Sequence, residues 1–434
     1  MTKLTFIETE ERILKMIVLS SPALFLVVKS WVNACLFVLF FIALFRIGKS
    51  HRIFFRRCGN DFWLIFLSLL APFLCELFAQ LGRGNIVLSS LDGPSRFLMA
   101  SVLFIYLSKF DTRAIIGWLG LGSGLGVVFV AIALILFPEY YWEQRAATYF
   151  VDPNTLPCFS VVLLALFLFI DPPTFLNGYT RLSRGVAAAL TLFIAHESAS
   201  RSSWLALVGL GVFWILVTTR RQPKRRTILL LSWVTCLALL LSLSSTVRDR
   251  SSNALAGITP FLTGTVQENV MDVQLTGTGQ RVVLALLDLQ LILDNPFFGL
   301  ADGEIPPPEE LFNQSDLVDD QIYMIKKLAG SHSEILAQLL RKGLIFGSIF
   351  LLSVFVFPVF LTLRSLIFSE ESYGYNGKIA FLACLLVLVI SSIGIQIFNL
   401  KMTSSFYGLI LALMLTLTLR REEVASAPET NLKF

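Results

Sequence analysis

Residues 114–137 read AIIGWLGLGSGLGVVFVAIALILF, 24 consecutive residues without a charged side chain. An α-helix rises about 1.5 Å per residue, so this stretch is long enough to cross the roughly 30 Å hydrocarbon core of a bilayer. Similar runs recur along the 434 residues, of which 55% are hydrophobic and 15% are charged. The sequence therefore predicts an all-α polytopic membrane protein, and it excludes a soluble enzyme, a fibrous protein, a disordered chain and a disulfide scaffold.

Along the whole chain, the apolar runs predict about twelve transmembrane helices, some of them short. The predicted spans are Ile13–Val28, Trp31–Phe45, Phe62–Gln80, Phe97–Ser108, Ala114–Phe137, Thr155–Ile170, Gly185–Ala195, Ser203–Thr218, Thr227–Ser244, Leu344–Leu363, Ile379–Phe398 and Ser404–Leu419. The chain is thus divided into nine spans in residues 1–244, a long loop in residues 245–333, three spans in residues 334–419 and a tail of residues 420–434.

The basic residues predict the orientation of this map. With both termini inside, 22 of the 35 Lys and Arg residues fall in cytoplasmic segments, including the cluster at 220–226, and six fall in the short outer loops. Cytoplasmic loops of membrane proteins carry such an excess. The net charge of +5 is therefore explained by topology, and no nucleic-acid partner is expected.

The long outer loop is the unusual part of the map, because loops of this length are commonly functional. Its middle, Val282–Leu293, has the pattern of an amphipathic helix that carries Asp288 and Gln290 and ends at Asn295-Pro296. The stretch from Asp302 to Asp320 that follows holds seven carboxylates and no basic residue. So much polar chain on one face predicts chemistry or binding there.

Two of the three histidines, His196 and His332, lie on this outer side, whereas His51 lies in a basic inner loop. His332 lies at the outer foot of the tenth predicted span. It is interpreted equally well as a general base poised near neutral pH or as a residue beside an interfacial helix N-terminus.

Three further charged residues are candidates for the functional site. Arg201 follows small polar residues and precedes an apolar helix, which suits an interface anchor or a bidentate phosphate clamp. Arg281 follows a glycine-rich segment at the start of the loop helix, an arrangement that favours anions. Glu76 has no partner nearby in the sequence, and it is interpreted as a buried structural carboxylate or as a substrate contact.

Several motifs are missing from the sequence. His196-Glu197 has Ser200 where a zinc protease needs a second His, and the sequence has no Walker loop and no outward Asp-x-Asp. We therefore expect no cofactor, no bound metal and a metal-independent reaction.

Three segments together resemble the O-antigen ligase and O-antigen polymerase superfamily of bacterial envelope glycosyltransferases. The first two are RAATYFVDPN at 145–154 and SRSSW at 200–204. The third runs from GQR at 279–281 through DNPFFGL at 294–300 to HSEIL at 332–336. His332-Ser333, followed by Gly343, fits the pattern of the ligase branch. The sequence departs from the pattern at Phe346, where a small or hydroxylated residue is expected, and at Ala147 or Thr148, where the first motif prefers Gly.

The resemblance implies a GT-C-like glycosyltransferase in the bacterial inner membrane, with both termini cytoplasmic and a helix-containing loop domain and active site facing the periplasm. Such a ligase moves O-antigen polysaccharide from undecaprenyl diphosphate to a sugar hydroxyl of lipid A–core, with membrane lipids around it. His332 would be the general base, and Arg201 and Arg281 would stabilise the diphosphate leaving group. Arg145, Asn154 and Ser333 would be further substrate contacts.

Two alternatives remain open at the level of sequence. A polymerase of the same superfamily would use lipid-linked sugars as both donor and acceptor, and the His332-Ser333 pattern favours the ligase over it. A transporter of lipid-linked glycans belongs to a different class. Transporters usually place polar groups at mid-membrane, whereas here Glu76 is the chief charge within a span.

Overall fold

The computed structural model of this protein describes residues 3–47, 59–110, 112–141, 145–173, 180–243, 245–265, 277–301, 320–368, 374–398 and 400–419. The predicted roles of His51, of residues 302–319 in the acidic stretch and of the tail 420–434 lie outside these residues. The helices of residues 3–243 are α1 Lys3–Leu24, α2 Trp31–Ile47, α3 Asn60–Arg83, α4 Leu88–Leu107, α5 Thr112–Leu136, α6 Thr155–Phe169, α7 Thr180–Ser198, α8 Arg201–Thr218 and α9 Pro223–Leu243. Those that follow are α10 Ser245–Thr263, α11 Gly277–Asp294, α12 Asp320–Ala329, α13 Glu334–Leu351, α14 Phe357–Phe368, α15 Tyr375–Gly394 and α16 Lys401–Leu415.

Each of the twelve predicted spans coincides with helical structure, which makes this a mostly helical, polytopic membrane protein. Among the described residues, six helices are long and apolar enough to cross a membrane: Asn60–Arg83, Thr112–Leu136, Arg201–Thr218, Glu334–Ile367, Tyr375–Gly394 and Lys401–Thr418. The total of twelve spans and the GT-C-like fold remain predictions. Helix α4 begins at Leu88 instead of Phe97, because its polar first turns line a cavity between α3, α4, α13 and α16.

The stretch quoted at the outset forms α5, which packs closely against α1. A Cβ atom added at Gly122 would lie 2.1 Å from the carbonyl oxygen of Leu19, and one at Gly126 would lie 2.3 Å from that of Pro22. The two glycines, four residues apart, let the two backbones approach, as small residues do between membrane helices.

Helix α16 is almost entirely buried, since every residue from Met402 to Leu415 is buried. A helix that is apolar on all sides is expected at the centre of a bundle. The neighbours of α16 include α2 and α4, and the largely buried α15 packs on α6 and α8.

One short antiparallel hairpin was not anticipated by the all-α prediction. The strands β1 (Glu139–Tyr141) and β2 (Arg145–Ala147) pair with Glu139 opposite Ala147. The tyrosines of β1 are residues that favour strands, and all three residues of β2 are buried.

The long loop contains the predicted amphipathic helix, now seen as α11. Its apolar residues Val283, Leu284, Leu287 and Leu291 form a second hydrophobic cluster, together with residues of α12 and α13. We call the end of the bundle where residues 83–88, 196–201, 277–301 and 331–334 lie the loop face.

Helix α13 is broken at Gly343, which has φ +73° and ψ 174°. The turn at 295–300 docks on this break through backbone hydrogen bonds: Leu300 N donates to Leu340 O (2.8 Å) and Leu344 N donates to Pro296 O (2.7 Å). The break lies directly before Leu344, where the sequence predicted the tenth span to begin.

Gly343→Ala should therefore destabilise the protein. The added Cβ would lie 2.4 Å from the carbonyl oxygen of Phe297, and the positive φ is strained for any residue with a side chain. We expect a loss of about 2 kcal/mol or more in the free energy of unfolding, measured as a lower melting temperature in detergent. Gly185→Ala in α7, where a Cβ meets no atom within 4 Å, is the control. Equal melting of the two variants would contradict this account of the break.

Candidate active site

The segment that carries His332 is fastened to the end of α15. Ser333 Oγ donates to Ser392 O (3.1 Å), Glu334 N donates to Ile395 O (3.1 Å), and the Gln396 amide donates to the carbonyl of Ser331. Ser333 is the N-cap residue of α13, but its hydroxyl is used to bind α15 and not to cap its own helix. The position of His332 is thus fixed from the side of the membrane bundle.

A buried ion pair fastens the same segment to the loop helices. Lys326 of α12 and Asp288 of α11 form an ion pair, with their side chains only 2% and 1% exposed. Lys326 Nζ also donates to Ser331 Oγ at 3.1 Å. Asp288 follows Arg281 by seven residues, two helical turns, so both lie on one face of α11. His332 is consequently held close to that face.

Electrostatics around His332 favour the neutral imidazole. Burial, followed by the positive charges of Arg281 and Lys326, lowers its pKa from 6.5 to about 4. His332 is partly buried and stands directly before Ser333, the N-cap residue of α13. A neutral imidazole can accept a proton at pH 7, and an anion bound beside Arg281 would raise its pKa and strengthen it as a base.

Titration of His332 should show this shift directly. The chain has three histidines, so histidine NMR signals can be assigned by replacing His51 and His196. We expect the His332 pKa near 4 in the free protein and a higher pKa when a diphosphate-bearing donor is bound, because the donor neutralises Arg281. The acid limb of kcat/KM, which reports the free enzyme, should then lie well below pH 6.5. A His332 pKa of 6.5 or above in the free protein would contradict this electrostatic account.

Arg201 and Arg281 are brought together by the first turns of their helices. Arg201 is the first residue of α8, and its guanidinium donates to Thr278 Oγ1 in the first turn of α11. Arg281 lies one turn further along α11. Contact between residues 77 positions apart places the two predicted arginines at one corner of the loop face.

The turn before Arg201 is held by Arg145. The buried Arg145 guanidinium donates to Ser198 O (2.8 Å), Asn154 Oδ1 (2.8 Å) and Pro153 O (3.2 Å). Ala199, between these contacts and α8, has φ +45°, a conformation rare for residues other than glycine. Arg145 and Asn154 therefore position the start of α8, and their contact with substrate remains a prediction.

His196 differs from His332 in its surroundings. Its side chain is 51% exposed, and its Nδ1 lies 3.2 Å from Glu197 Oε1. The structure thus places it at the end of α7, at the surface.

Arg83 is a residue of the loop face that the sequence analysis did not single out. Its Nη1 donates to the carbonyls of Phe298 (2.5 Å) and Arg341 (2.7 Å). It thereby joins the end of α3 to the part of α13 before the break and to the turn at 295–300 that docks there. The ring of Phe298 stacks on Phe346 at 6.1 Å between centroids, so the bulky residue that departs from the ligase pattern is accommodated by an aromatic contact.

Glu76, which has no partner nearby in the sequence, is paired in the structure. Its carboxylate forms an ion pair with Lys342 of α13 at 2.7 Å and accepts a hydrogen bond from Gln80 at 2.9 Å. Within the described part of the chain, no three His, Cys, Asp or Glu residues are grouped so that they could hold a metal ion.

Part of the chain is similar to a known protein family. Residues 185–352 match the family model described as O-antigen ligase, Wzy_C. No curated protein matches the chain. The matched residues include Arg201, Arg281, His332 and Gly343.

Proposed function

We propose that this chain transfers O-antigen polysaccharide from undecaprenyl diphosphate to a sugar hydroxyl of lipid A–core. The proposal starts from the match of residues 185–352 to the O-antigen ligase family. Proteins of this family are membrane glycosyl-transfer enzymes of the ligase or polymerase type. The observation that carries the proposal is the meeting of α8, α11 and the His332 segment at the loop face.

The donor half of the reaction is assigned to the arginines. Departure of the carrier diphosphate leaves negative charge on its oxygens, and guanidinium groups stabilise such charge by paired hydrogen bonds. Arg201 and Arg281 stand at helix N-termini, where the backbone also favours anions. Their contact region around Thr278 supports a shared diphosphate, with Arg145 as a more distant third contributor.

The acceptor half of the reaction is assigned to His332. Its neutral imidazole takes the proton of the acceptor hydroxyl while that oxygen forms a bond to the anomeric carbon. The bond from that carbon to the diphosphate oxygen breaks, and the electron pair leaves with the diphosphate. A single displacement of this kind inverts the anomeric configuration. Ser333, bonded to α15, helps to fix the base.

The proposed site also implies how the protein is oriented in the membrane. Both substrates are anchored in lipid, and the proposed site lies at the loop face, which we assign to the periplasmic side of the inner membrane. Both termini are then cytoplasmic, in agreement with the distribution of basic residues.

A deletion strain tests the ligase assignment against the polymerase. We expect core-only lipopolysaccharide while long glycan accumulates on the carrier. Loss of polymerisation itself would favour the polymerase. Movement of labelled lipid-linked glycan across proteoliposomes without any acceptor would favour a transporter.

We expect transfer to need no divalent metal. Guanidinium groups supply the positive charge in this scheme, so in vitro transfer should survive EDTA at an unchanged rate. If EDTA abolished transfer, and Mg²⁺ or Mn²⁺ but not buffer alone restored it, the assignment of charge stabilisation to the guanidinium groups would be overturned.

A further inference from the structure

A second polar feature of the loop face is a cavity of about 110 Å³ between α3, α4, α13 and α16. Arg341, Lys342 and Lys401 line it, together with one carboxylate, Glu76. The serines at 89, 90 and 404 add hydroxyl groups, and the rings of Phe97, Phe350 and Phe398 add an apolar wall. Ser89 and Lys401 are exposed, so the cavity opens toward the loop face.

A buried chain of polar side chains forms the wall of this cavity. Glu334 accepts from Phe398 N (3.0 Å) and from Gln338, and Gln338 accepts from Lys342. The chain continues through the ion pair of Lys342 with Glu76. Lys342 is 2% exposed and Glu76 is 4% exposed. Such burial of charge is expensive within a membrane bundle and often marks function.

The cavity and Arg281 lie on opposite faces of the first part of α13. Glu334, Gln338 and Lys342 are spaced four residues apart and so share the cavity face. Leu336 and Leu340 of the same helix pack in the hydrophobic cluster with α11, the helix that carries Arg281.

His332, just before α13, stands where these two sides meet. The cavity residue Arg341 donates to Gln396 at 3.4 Å, and Gln396 in turn binds the carbonyl of Ser331, next to His332. A group in the cavity is therefore separated from the His332 segment by the Arg341 and Gln396 side chains.

We propose that this cavity is an acceptor subsite, which binds an anionic group, a phosphate, on the sugar headgroup of the acceptor lipid. The assignment rests on the proposed transfer reaction and extends it, because a single displacement needs the acceptor hydroxyl and its base on the face of the anomeric carbon opposite the diphosphate. Lys342 is paired with Glu76 and Lys401 with Asp92, so Arg341 leaves the cavity with a net positive charge that favours an anion. The serines and aromatic rings suit the hydroxyl groups and faces of a sugar. The volume accepts a phosphate-sized group and leaves the rest of the headgroup outside.

A cavity-filling substitution tests this subsite. Gly93 lines the cavity, and a Cβ added there meets only Ser404 Oγ, at 4.0 Å. Gly93→Leu fills the space. Gly93→Ala also places a Cβ on the residue before Pro94 but leaves most of the space open, so it measures the effect of replacing the glycine by itself. We expect the KM for lipid A–core in the Leu variant to exceed that in the Ala variant by at least about tenfold, with the donor KM equal in both.

A second blocking variant and a position control complete the design. Ser89→Tyr, at the exposed rim, should raise the same KM and does not depend on Gly93→Leu folding. Gly185→Leu in α7, where nothing lies within 4 Å of an added Cβ, controls for the introduction of leucine and should leave the acceptor KM unchanged.

The nature of the bound group is tested with lipid A–core before and after chemical dephosphorylation. Lys401→Gln should raise the KM for the phosphorylated acceptor about threefold and leave that for the dephosphorylated one unchanged. Equal acceptor KM values for Gly93→Leu and Gly93→Ala, a change confined to the donor KM, or the same effect of Lys401→Gln on both acceptors would overturn the subsite. Absence of transfer by the unaltered protein would instead reject the proposed function.

Discussion

Replacing His332 by alanine should lower the rate of glycan transfer by about 10²- to 10⁴-fold, the usual cost of losing a general base. The protein should still fold, because the segment around His332 is held by Ser331, Ser333 and Glu334 through bonds that do not use the imidazole. Binding of the carrier-linked donor should also persist, since the arginines remain. The measurement is single-turnover transfer with purified protein, accompanied by a donor-binding assay.

His196→Ala is the matched control for this prediction. Its side chain is about half exposed and lies beside Glu197, so its loss should reduce the rate by no more than a few-fold. His332→Gln, which keeps polarity and much of the volume, guards against a packing defect at a partly buried position and should be as inactive as the alanine variant. If His196→Ala stopped the reaction and His332→Ala left it near normal, the assignment of the base would be wrong.

Arg201→Lys and Arg281→Lys should each lower transfer by about 10- to 100-fold although the charge is kept. Lysine provides a point charge and cannot grip two phosphate oxygens with a planar fork. The loss should fall mainly on kcat, because charge on the leaving diphosphate grows as the bond breaks. Steady-state kinetics with purified donor and acceptor give the comparison.

The control for these substitutions is Arg364→Lys. Arg364 of α14 is paired with Asp61 at 2.9 Å, and it takes no part in the proposed site, so it should keep near-normal activity. Full activity in both Arg201→Lys and Arg281→Lys would defeat the clamp. An experimental structure with the two guanidinium groups more than about 15 Å apart, too far to share a diphosphate, would count equally against it.

Much of the helical framework could be predicted from the sequence, because hydropathy and helix length are local properties. The stretch at 114–137 and the amphipathic pattern at 282–293 both correspond to observed helices. The boundary of α4 was missed because Ser89 and Ser90 look like loop residues until the cavity that they line is known. The span map and the sequence motifs also predicted that Arg201, Arg281 and His332 lie on the same side of the membrane.

The partners of those residues could not be predicted. Lys326 with Asp288 and Lys342 with Glu76 are ion pairs between separate helices, and no local pattern selects one distant partner over another. The contacts of Arg83 with two backbone carbonyls leave no sequence signal except the glycine at 343 that makes room for the turn. The low pKa of His332 likewise arises from tertiary burial and from Arg281, which its neighbours in the sequence do not reveal.

Reconstitution of the reaction is the most direct test of the central claim. Purified protein in proteoliposomes would be given a labelled glycan on undecaprenyl diphosphate, together with lipid A–core, in the presence of EDTA. The account predicts that the label moves to lipid A–core in one transfer per acceptor, with release of the carrier diphosphate, and that His332→Ala abolishes this transfer. Label that moved only onto other carrier-linked glycans, or an unaltered rate in His332→Ala, would contradict it.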